Sequence, residues 1–551
     1  MQLRLSILFG VVAAVLWSLP VHAQEAEVYE LPPVKYSATK PHDAVTRLQS
    51  ALISGDLKLE GSDSNVVKSL LRILHIPVTS QMLVFSKTSF QKDIIGPKHP
   101  RALYYWDDCY VGWVPGGLVE IAAIDPSMGP VFYSFDPRGL SERNPPAFTR
   151  EDDCMRCHGG TFVPGIPGVF ARSLFPDQDG EPIFREGSEV VDDQTPFSER
   201  WGGWYVTGLS GDAKHRGNIC GEEVNDHLIF DPSRGANVTD LSGFFDSSRY
   251  LTNSSDIVSL LVFEHQTAMQ NSLTHAEINC RRMLGYQEDL KKVLDPPASS
   301  GTNDELLFDS VRTVFEHCAD NVVDTLLFKD EAPLPKTIVG SDGFQKTFEE
   351  NVPRSKDGSS LKDLLLSGHL FKNRCSYLIY SDSFRALPAP LKRRIYARLF
   401  KALDADHPNP RYSYIGREER ERIARFLPRP IRISPTANLK NKLAQLAKEL
   451  AFQGHPIRLG ARKLSRCAIN QDTIQTISTS RRFSGGCTHR NCLRPGDPRR
   501  SGISGISWTA GLLPCADFCR TTGAHRRTTQ PGGKCRARGG LGGLFATQWV
   551  G

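Results

Sequence analysis

Two periodicities divide the chain. From residue 83, apolar positions fall in short β-branched and aromatic runs: LVFSKTSF (83–90), ALYYW (102–106), YVGWV (110–114), LVEIAAID (118–125) and PVFYSFD (130–136). Turn formers separate them, as in Pro115-Gly116-Gly117, Asp125-Pro126 and Asp136-Pro137. Runs of this length between such residues predict a meander of strands. VFARSLF (169–175) and EPIF (181–184) predict a hairpin with Asp179-Gly180 in its turn. WGGWYVTGLSG (201–211) predicts a further strand. Upstream, 24–64 is polar with few strong patterns, and 65–74 predicts a helix on Val66, Val67, Leu70, Leu71 and Leu74.

From Ser255 the period becomes 3.6. Ser255 or Asp256 is placed to cap a long helix over 257–284. Further helices are expected over 303–328, 358–368, 388–403, 417–427 and 434–452, the last with Ser434 as cap and Pro435 in its first turn. The fold class is therefore α+β. A β-rich part (24–255) precedes an α-helical part (256–453).

Both ends differ from this body. Met1-Gln2-Leu3-Arg4 is a basic start, Leu5 to Leu19 is apolar, and Val21-His22-Ala23 is a small-x-small cleavage site. Residues 1–23 read as a secretory signal peptide, which predicts a periplasmic or secreted protein. No second run approaches the ~20 apolar residues of a spanning helix, so no membrane span is expected in the mature chain. From Pro456 to Gly551 there are 16 Lys and Arg against 3 Asp, a charge of +13 within a chain of net +6. The body up to residue 455 thus carries −7, and the basic balance belongs to the tail. Rich in Arg, Gly and Cys and without apolar periodicity, 454–551 reads as a non-globular basic arm, a small disulfide module or a wrong reading frame. At 551 residues, 40% hydrophobic and 23% charged, the composition is globular and the length exceeds one core.

The chemistry gathers at DDCMRCHGG (152–160), where Cys154-Met155-Arg156-Cys157-His158 forms a C-x-x-C-H motif. A thioredoxin-like pair would open a helix after a strand in a βαβ unit, whereas Pro145-Pro146 precedes this motif and Gly159-Gly160 follows it. Structural zinc needs four ligands, and the body holds no second C-x-x-C. Covalent haem needs two thiols for the vinyl groups and an adjacent imidazole for iron, which is this motif as it stands. Attachment outside the cytoplasm also suits an exported chain.

CMRCH resembles the attachment motif of c-type cytochromes. More widely, CMRCHGG, RSLFPDQDGEPIF, RWGGWYVTG, HRGN and SDIVSLLVFEHQTAMQN are similar to segments of exported bacterial cytochrome c domain proteins of uncharacterised function, over roughly residues 80–430. The resemblance implies haem c as cofactor, Cys154 and Cys157 as thioether residues and His158 as proximal iron ligand. The motif lies among strands, unlike the all-helical small cytochromes c, so the distal ligand does not transfer.

Distal candidates are His215, His265 and Met269. His215 lies in KHRGN, where an ordinary loop histidine is the alternative. His265 and Met269 share a helical face. Glu264, His265 and Gln266 place polar groups directly after the apolar run LLVF. Glu264 is a candidate proton carrier and His265 a candidate ligand or acid/base, against a hydrogen-bonded histidine at a domain interface. Trp106, Trp113, Trp201, Trp204, Tyr104, Tyr105 and Tyr205 are candidate pocket walls or plain strand packing, and Arg156 and Arg172 candidate propionate partners. Three functions follow: a monohaem electron-transfer protein with an unknown redox partner, a peroxidase-like haem oxidoreductase using Glu264 and His265, or a disulfide-braced binding module without haem. No nucleotide loop, Ser-His-Asp pattern or nucleic-acid motif is present.

Overall fold

The structure, a computed structural model, describes residues 27–427 apart from 60, 62, 139, 141–146, 161, 164, 226, 295–304 and 351. The expected signal peptide (1–23), the expected helix (434–452) and the basic tail (454–551) lie outside the described residues.

Helix α1 (Ala44–Ser54) begins on a capping box. The Asp43 carboxylate accepts from the Thr46 N–H at 2.8 Å, and the Thr46 hydroxyl accepts from the Asp43 N–H at 3.1 Å. Helix α2 (Ser64–Ile73) follows. Strands β1 (Met82–Val84), β2 (Arg101–Trp106), β3 (Cys109–Trp113), β4 (Val119–Asp125), β5 (Gly129–Phe135) and β6 (Thr149–Arg150) form the meander. After β7 (Ala171–Leu174) and β8 (Ser188–Val191), which pair with each other, β9 (Trp204–Tyr205) closes the sheet. Its order is β6-β5-β4-β3-β2-β1-β9, antiparallel throughout.

Both faces of this sheet are covered, so β3 and β5 are buried at every position. One pleat face, with Ala102, Tyr104, Val111, Trp113, Val119 and Ile121, packs with Val45, Leu48, Val66, Val67, Leu70 and Leu71 of α1 and α2. The other face carries Val84, Tyr105, Tyr110, Phe132 and Trp204, which join the helical core.

Seven further helices follow among the described residues: α3 (Met155–His158), α4 (Ile257–Val293), α5 (Asp309–Leu326), α6 (Phe344–Glu349), α7 (Asp382–Ala386), α8 (Ala389–Ala402) and α9 (Arg417–Ala424). Asp256 caps α4 by accepting from the Val258 N–H at 2.7 Å. Its other oxygen accepts from the Ser341 and Asp342 N–H groups, both at 2.9 Å. Every residue from Ile257 to Thr267 is buried, the mark of a helix enclosed on all sides. The β-rich and helical parts thus share one core, in which Val84 and Trp204 cluster with Leu261, Phe315 and Leu399. No helix among the described residues is long and apolar enough to cross a membrane.

Several elements differ from the pattern-based expectation. The 83–90 run keeps only Met82–Val84 as strand. The 201–211 run breaks into Trp204–Tyr205 and Gly208–Leu209, because Trp201, Gly203 and Gly208 all take positive φ (69°, 88° and 136°). Strand β7 pairs with β8, while 181–184 meets the end of the 169–175 run through a Pro176–Pro182 bridge flanked by two hydrogen bonds, Ile183 N–H to the Phe175 carbonyl at 2.8 Å and Asp177 N–H to the Glu181 carbonyl at 2.9 Å, with Asp179-Gly180 in the turn. The expected 358–368 helix is a hairpin of Leu364–Ser367 with His369–Phe371. There Leu364 and Leu366 are buried while Leu365 is exposed, and Leu366 and Gly368 take positive φ (58° and 74°) in the turn.

Candidate haem site

The C-x-x-C-H segment folds as a 3-10 turn, Asp152–Cys154, running directly into α3. The turn lies over the sheet face that α4 also covers. Two glycines then take the chain out in close contact: a Cβ at Gly159 would stand 2.5 Å from the Tyr29 hydroxyl, and one at Gly160 2.8 Å from the Arg156 carbonyl. The loop returns to close on His158. The Gly168 N–H donates to the His158 carbonyl at 2.8 Å, and the imidazole Nδ1 bonds the Gly168 carbonyl, also at 2.8 Å. The next residue is clamped to α4, since Asn271 accepts from the Val169 N–H at 3.0 Å and donates to the Val169 carbonyl at 2.7 Å.

A carbonyl accepts only, so Nδ1 carries the proton and Nε2 presents a lone pair. Metal-bound imidazoles are oriented in this way, with the second nitrogen fixed by a carbonyl or carboxylate. The ring is held between Phe132 and Phe170, with centroids at 4.5 and 4.7 Å. Burial pushes its pKa down to about 4, so the ring is neutral at physiological pH. Cys154 is half-buried and Cys157 exposed, and both thiols are free. Burial, reinforced by Glu120 and Glu151, pushes the Cys154 thiol up to about 12.

Cys154, Cys157 and His158 line a cavity of about 550 Å³, within the ~300–1,000 Å³ range of small-molecule and cofactor sites. Register builds its floor. Tyr110 of β3 pairs with Ala122 of β4, which pairs with Phe132 of β5; Gly112 likewise pairs with Glu120. These residues share one pleat face, where Gly112 and Ala122 leave open space beneath larger neighbours. Trp204 of β9 and Phe263 of α4 close one side, and Phe162, Val169 and Phe170 another. A Cβ on Gly112 would stand 2.3 Å from Arg101 Nη2, so glycine here makes room for that guanidinium. Arg101 pairs with Glu120, while its buried Nε has no hydrogen-bond partner among the described residues.

These features fit a porphyrin. Two free thiols and an imidazole with an open nitrogen face one apolar cavity, and cationic groups stand in its lining. Arg172 lines it with its guanidinium 4.3 Å over the Phe162 ring, and Arg156 lines it too, paired with Asp153 at 3.1 Å. The donor set does not suit a bare metal ion: the described residues contain no group of three or more His, Cys, Asp or Glu able to hold one.

The structure brings none of the distal-ligand or acid/base candidates to this cavity. His215 is buried, its Nδ1 accepts from the Gly217 N–H at 3.1 Å, and its ring lies against Trp201 at 5.1 Å. Met269 is fully buried in the helical core. Both ring nitrogens of His265 are engaged, Nδ1 with Asp193 at 3.0 Å and Nε2 with Ser376 at 2.8 Å, and the ring stacks on Phe328 at 4.0 Å. Glu264 is paired with Arg200 at 2.6 Å, both side chains fully buried. Burial pushes its carboxyl up to about 7, against the pull of Arg200. Glu264 and His265 thus sit in a buried polar network away from the cavity. Only Gln266 reaches toward it, donating to the Tyr110 hydroxyl at 3.0 Å and accepting from Tyr377 at 2.6 Å. Of the seven candidate wall aromatics, Tyr104 and Trp204 line the cavity. Trp113 faces the opposite core and donates to Asp63 at 3.0 Å.

Pattern reading missed Phe132, Phe170, Arg101, Gly112 and Asn271. Phe132 carried a signal, because period-2 counting along β4 and β5 puts it on the face of Ala122. Asn271 carried none.

No family model, curated protein or solved structure matches the chain.

Proposed function

We propose that this chain is an exported monohaem c-type cytochrome domain protein that passes electrons through a covalently bound haem. The observation that carries the reading is the His158 imidazole: its Nδ1 is tied to the Gly168 carbonyl, and the residue lines a cavity of about 550 Å³ together with two cysteines whose thiols are free. Cys154 and Cys157 would hold the porphyrin through thioether links. His158 would hold the iron, and Phe132 and Phe170 beside its ring would exclude water. Bound haem supplies one-electron redox chemistry.

A haem-dependent oxidoreductase is the second reading, favoured by one observation: neither a methionine nor a second histidine stands among the residues lining the cavity. Glu264 and His265 do not serve it, since both are committed to buried partners.

The test is expression in a bacterial host equipped for c-type maturation, followed by a haem-stained denaturing gel. The wild-type band stains and keeps its haem after acid-acetone extraction. Cys154→Ser/Cys157→Ser does not stain. A colourless wild type overturns both redox readings and leaves a binding module.

A further inference from the structure

An iron held by His158 has a second face, and the structure bears on what meets it. Strong sixth ligands in electron-transferring haem proteins are a methionine thioether or a second imidazole. The sequence holds six methionines. Met82, Met128, Met155, Met269 and Met283 are all described, and none lines the cavity. Met1 belongs to the expected signal. Among the described histidines His158 alone lines it. The two other histidines singled out by the sequence are committed elsewhere, His215 against Trp201 and His265 between Asp193 and Ser376. The lining offers instead tyrosines, carboxylates and cations. One of these is incompletely satisfied: Arg101 Nε is buried without a hydrogen-bond partner among the described residues, although the same guanidinium pairs with Glu120.

We infer that the iron face opposite His158 stays open to a small exogenous ligand, a diatomic molecule or a small anion, and that Arg101 is the cationic group that favours an anion there. This rests on the haem reading above. It adds what that reading leaves undecided, namely that the haem binds a small molecule. Distal polarity and donors separate ligand-binding haems from purely electron-transferring ones. A fixed guanidinium in an apolar enclosure attracts an anion more strongly than one in water.

The experiment uses the matured holoprotein, with azide and carbon monoxide as probes. Absorption and electron paramagnetic resonance spectra of the ferric form should show high-spin iron, azide should convert it to low spin, and the ferrous form should bind carbon monoxide. Arg101→Leu should weaken azide at least about 10-fold and leave the neutral carbon monoxide within about 2-fold. Met269→Leu, of nearly conserved volume, should leave every spectrum unchanged. A coloured wild type with low-spin ferric iron that refuses azide overturns the open position while the haem assignment stands. Equal azide affinity in Arg101→Leu overturns the role of Arg101. A colourless protein overturns the haem reading itself and this inference with it.

Discussion

The Arg200–Glu264 pair ties the β-rich part to the long helix, and removing one partner gives a quantitative test of that role. Arg200 Nη1 donates to Glu264 at 2.6 Å, Nε to the Thr195 carbonyl at 2.9 Å and Nη2 to the Asp193 carbonyl at 3.2 Å. Their side chains are 3% and 1% exposed, so water does not screen the pair. Arg200→Met strands a buried carboxylate and leaves two carbonyls without their donor. Breaking a buried pair costs about 3–5 kcal/mol. For a chain of this size, with a urea m-value of roughly 3 kcal/mol/M, the midpoint falls by about 1–1.7 M. The double variant Arg200→Met/Glu264→Leu removes both charges and recovers most of the loss. About 1 kcal/mol for each orphaned carbonyl remains. The assay is urea unfolding of the holoprotein by far-ultraviolet circular dichroism, with the haem spectrum recorded in parallel. A structural pair predicts strong non-additivity and an unchanged spectrum. Additive effects, a single-variant loss below about 1 kcal/mol, or a haem band that moves with Glu264 would refute the reasoning.

Three other outcomes follow. Gly112→Val displaces the Arg101 guanidinium and narrows the cavity floor; the haem-to-protein ratio after maturation should fall several-fold while far-ultraviolet dichroism is retained, because the obstructing group is a flexible side-chain end. Asn271→Ala removes both hydrogen bonds to Val169, the residue after Gly168, whose carbonyl holds His158; a loss of about 1–3 kcal/mol in urea unfolding and a shifted haem band are expected, and an unchanged band would show that α4 does not position His158. Glu277 is 5% exposed, and burial pushes its carboxyl from 4.5 up to about 8 against the nearby Arg281. Its folded-state pKa is raised, so its contribution to stability is complete below pH 4.5 and is lost as the pH rises through 8. At about 1.4 kcal/mol per unit the upper bound is roughly 4–5 kcal/mol, and Glu277→Gln should flatten the stability profile across that window.

The meander was legible because Asp-Pro and Gly-Gly turns fix each strand's ends and β-branched residues fill them. The start of α4 was legible from Asp256, a capping residue ahead of an apolar run. Helix α1 was missed although Asp43 and Thr46 form a capping box and Val45, Leu48 and Leu52 make a helical stripe, because its surroundings are polar. The 364–366 leucines were read as helix because three apolar residues in a row fit either period; the positive φ at Leu366 and Gly368 settles it. His158 and the two cysteines were legible because their chemistry is local. The rest of the site was not. Which side chain shares a face with Tyr110 depends on register carried across β3, β4 and β5, and His265 meets partners 72 and 111 residues away.

Those distances explain why a polar triplet follows an apolar run in the middle of a buried helix. On α4 three consecutive residues point about 100° apart, so Glu264, His265 and Gln266 address three different neighbours. Glu264 meets Arg200 ahead of β9, His265 bridges Asp193 and Ser376, and Gln266 joins Tyr110 on the sheet to Tyr377 in the helical part. A helix buried on every side cannot leave such groups to water, and each has a partner drawn from a distant segment. One turn further on, Asn271 extends the same logic to the loop that holds His158. The polar residues of α4 are therefore spent on registering the sheet, the helices and the C-x-x-C-H loop against one another. On the proposed reading, chemistry on haem would fall to the cavity's own lining, where the half-buried Arg101 keeps a buried Nε without a hydrogen-bond partner among the described residues.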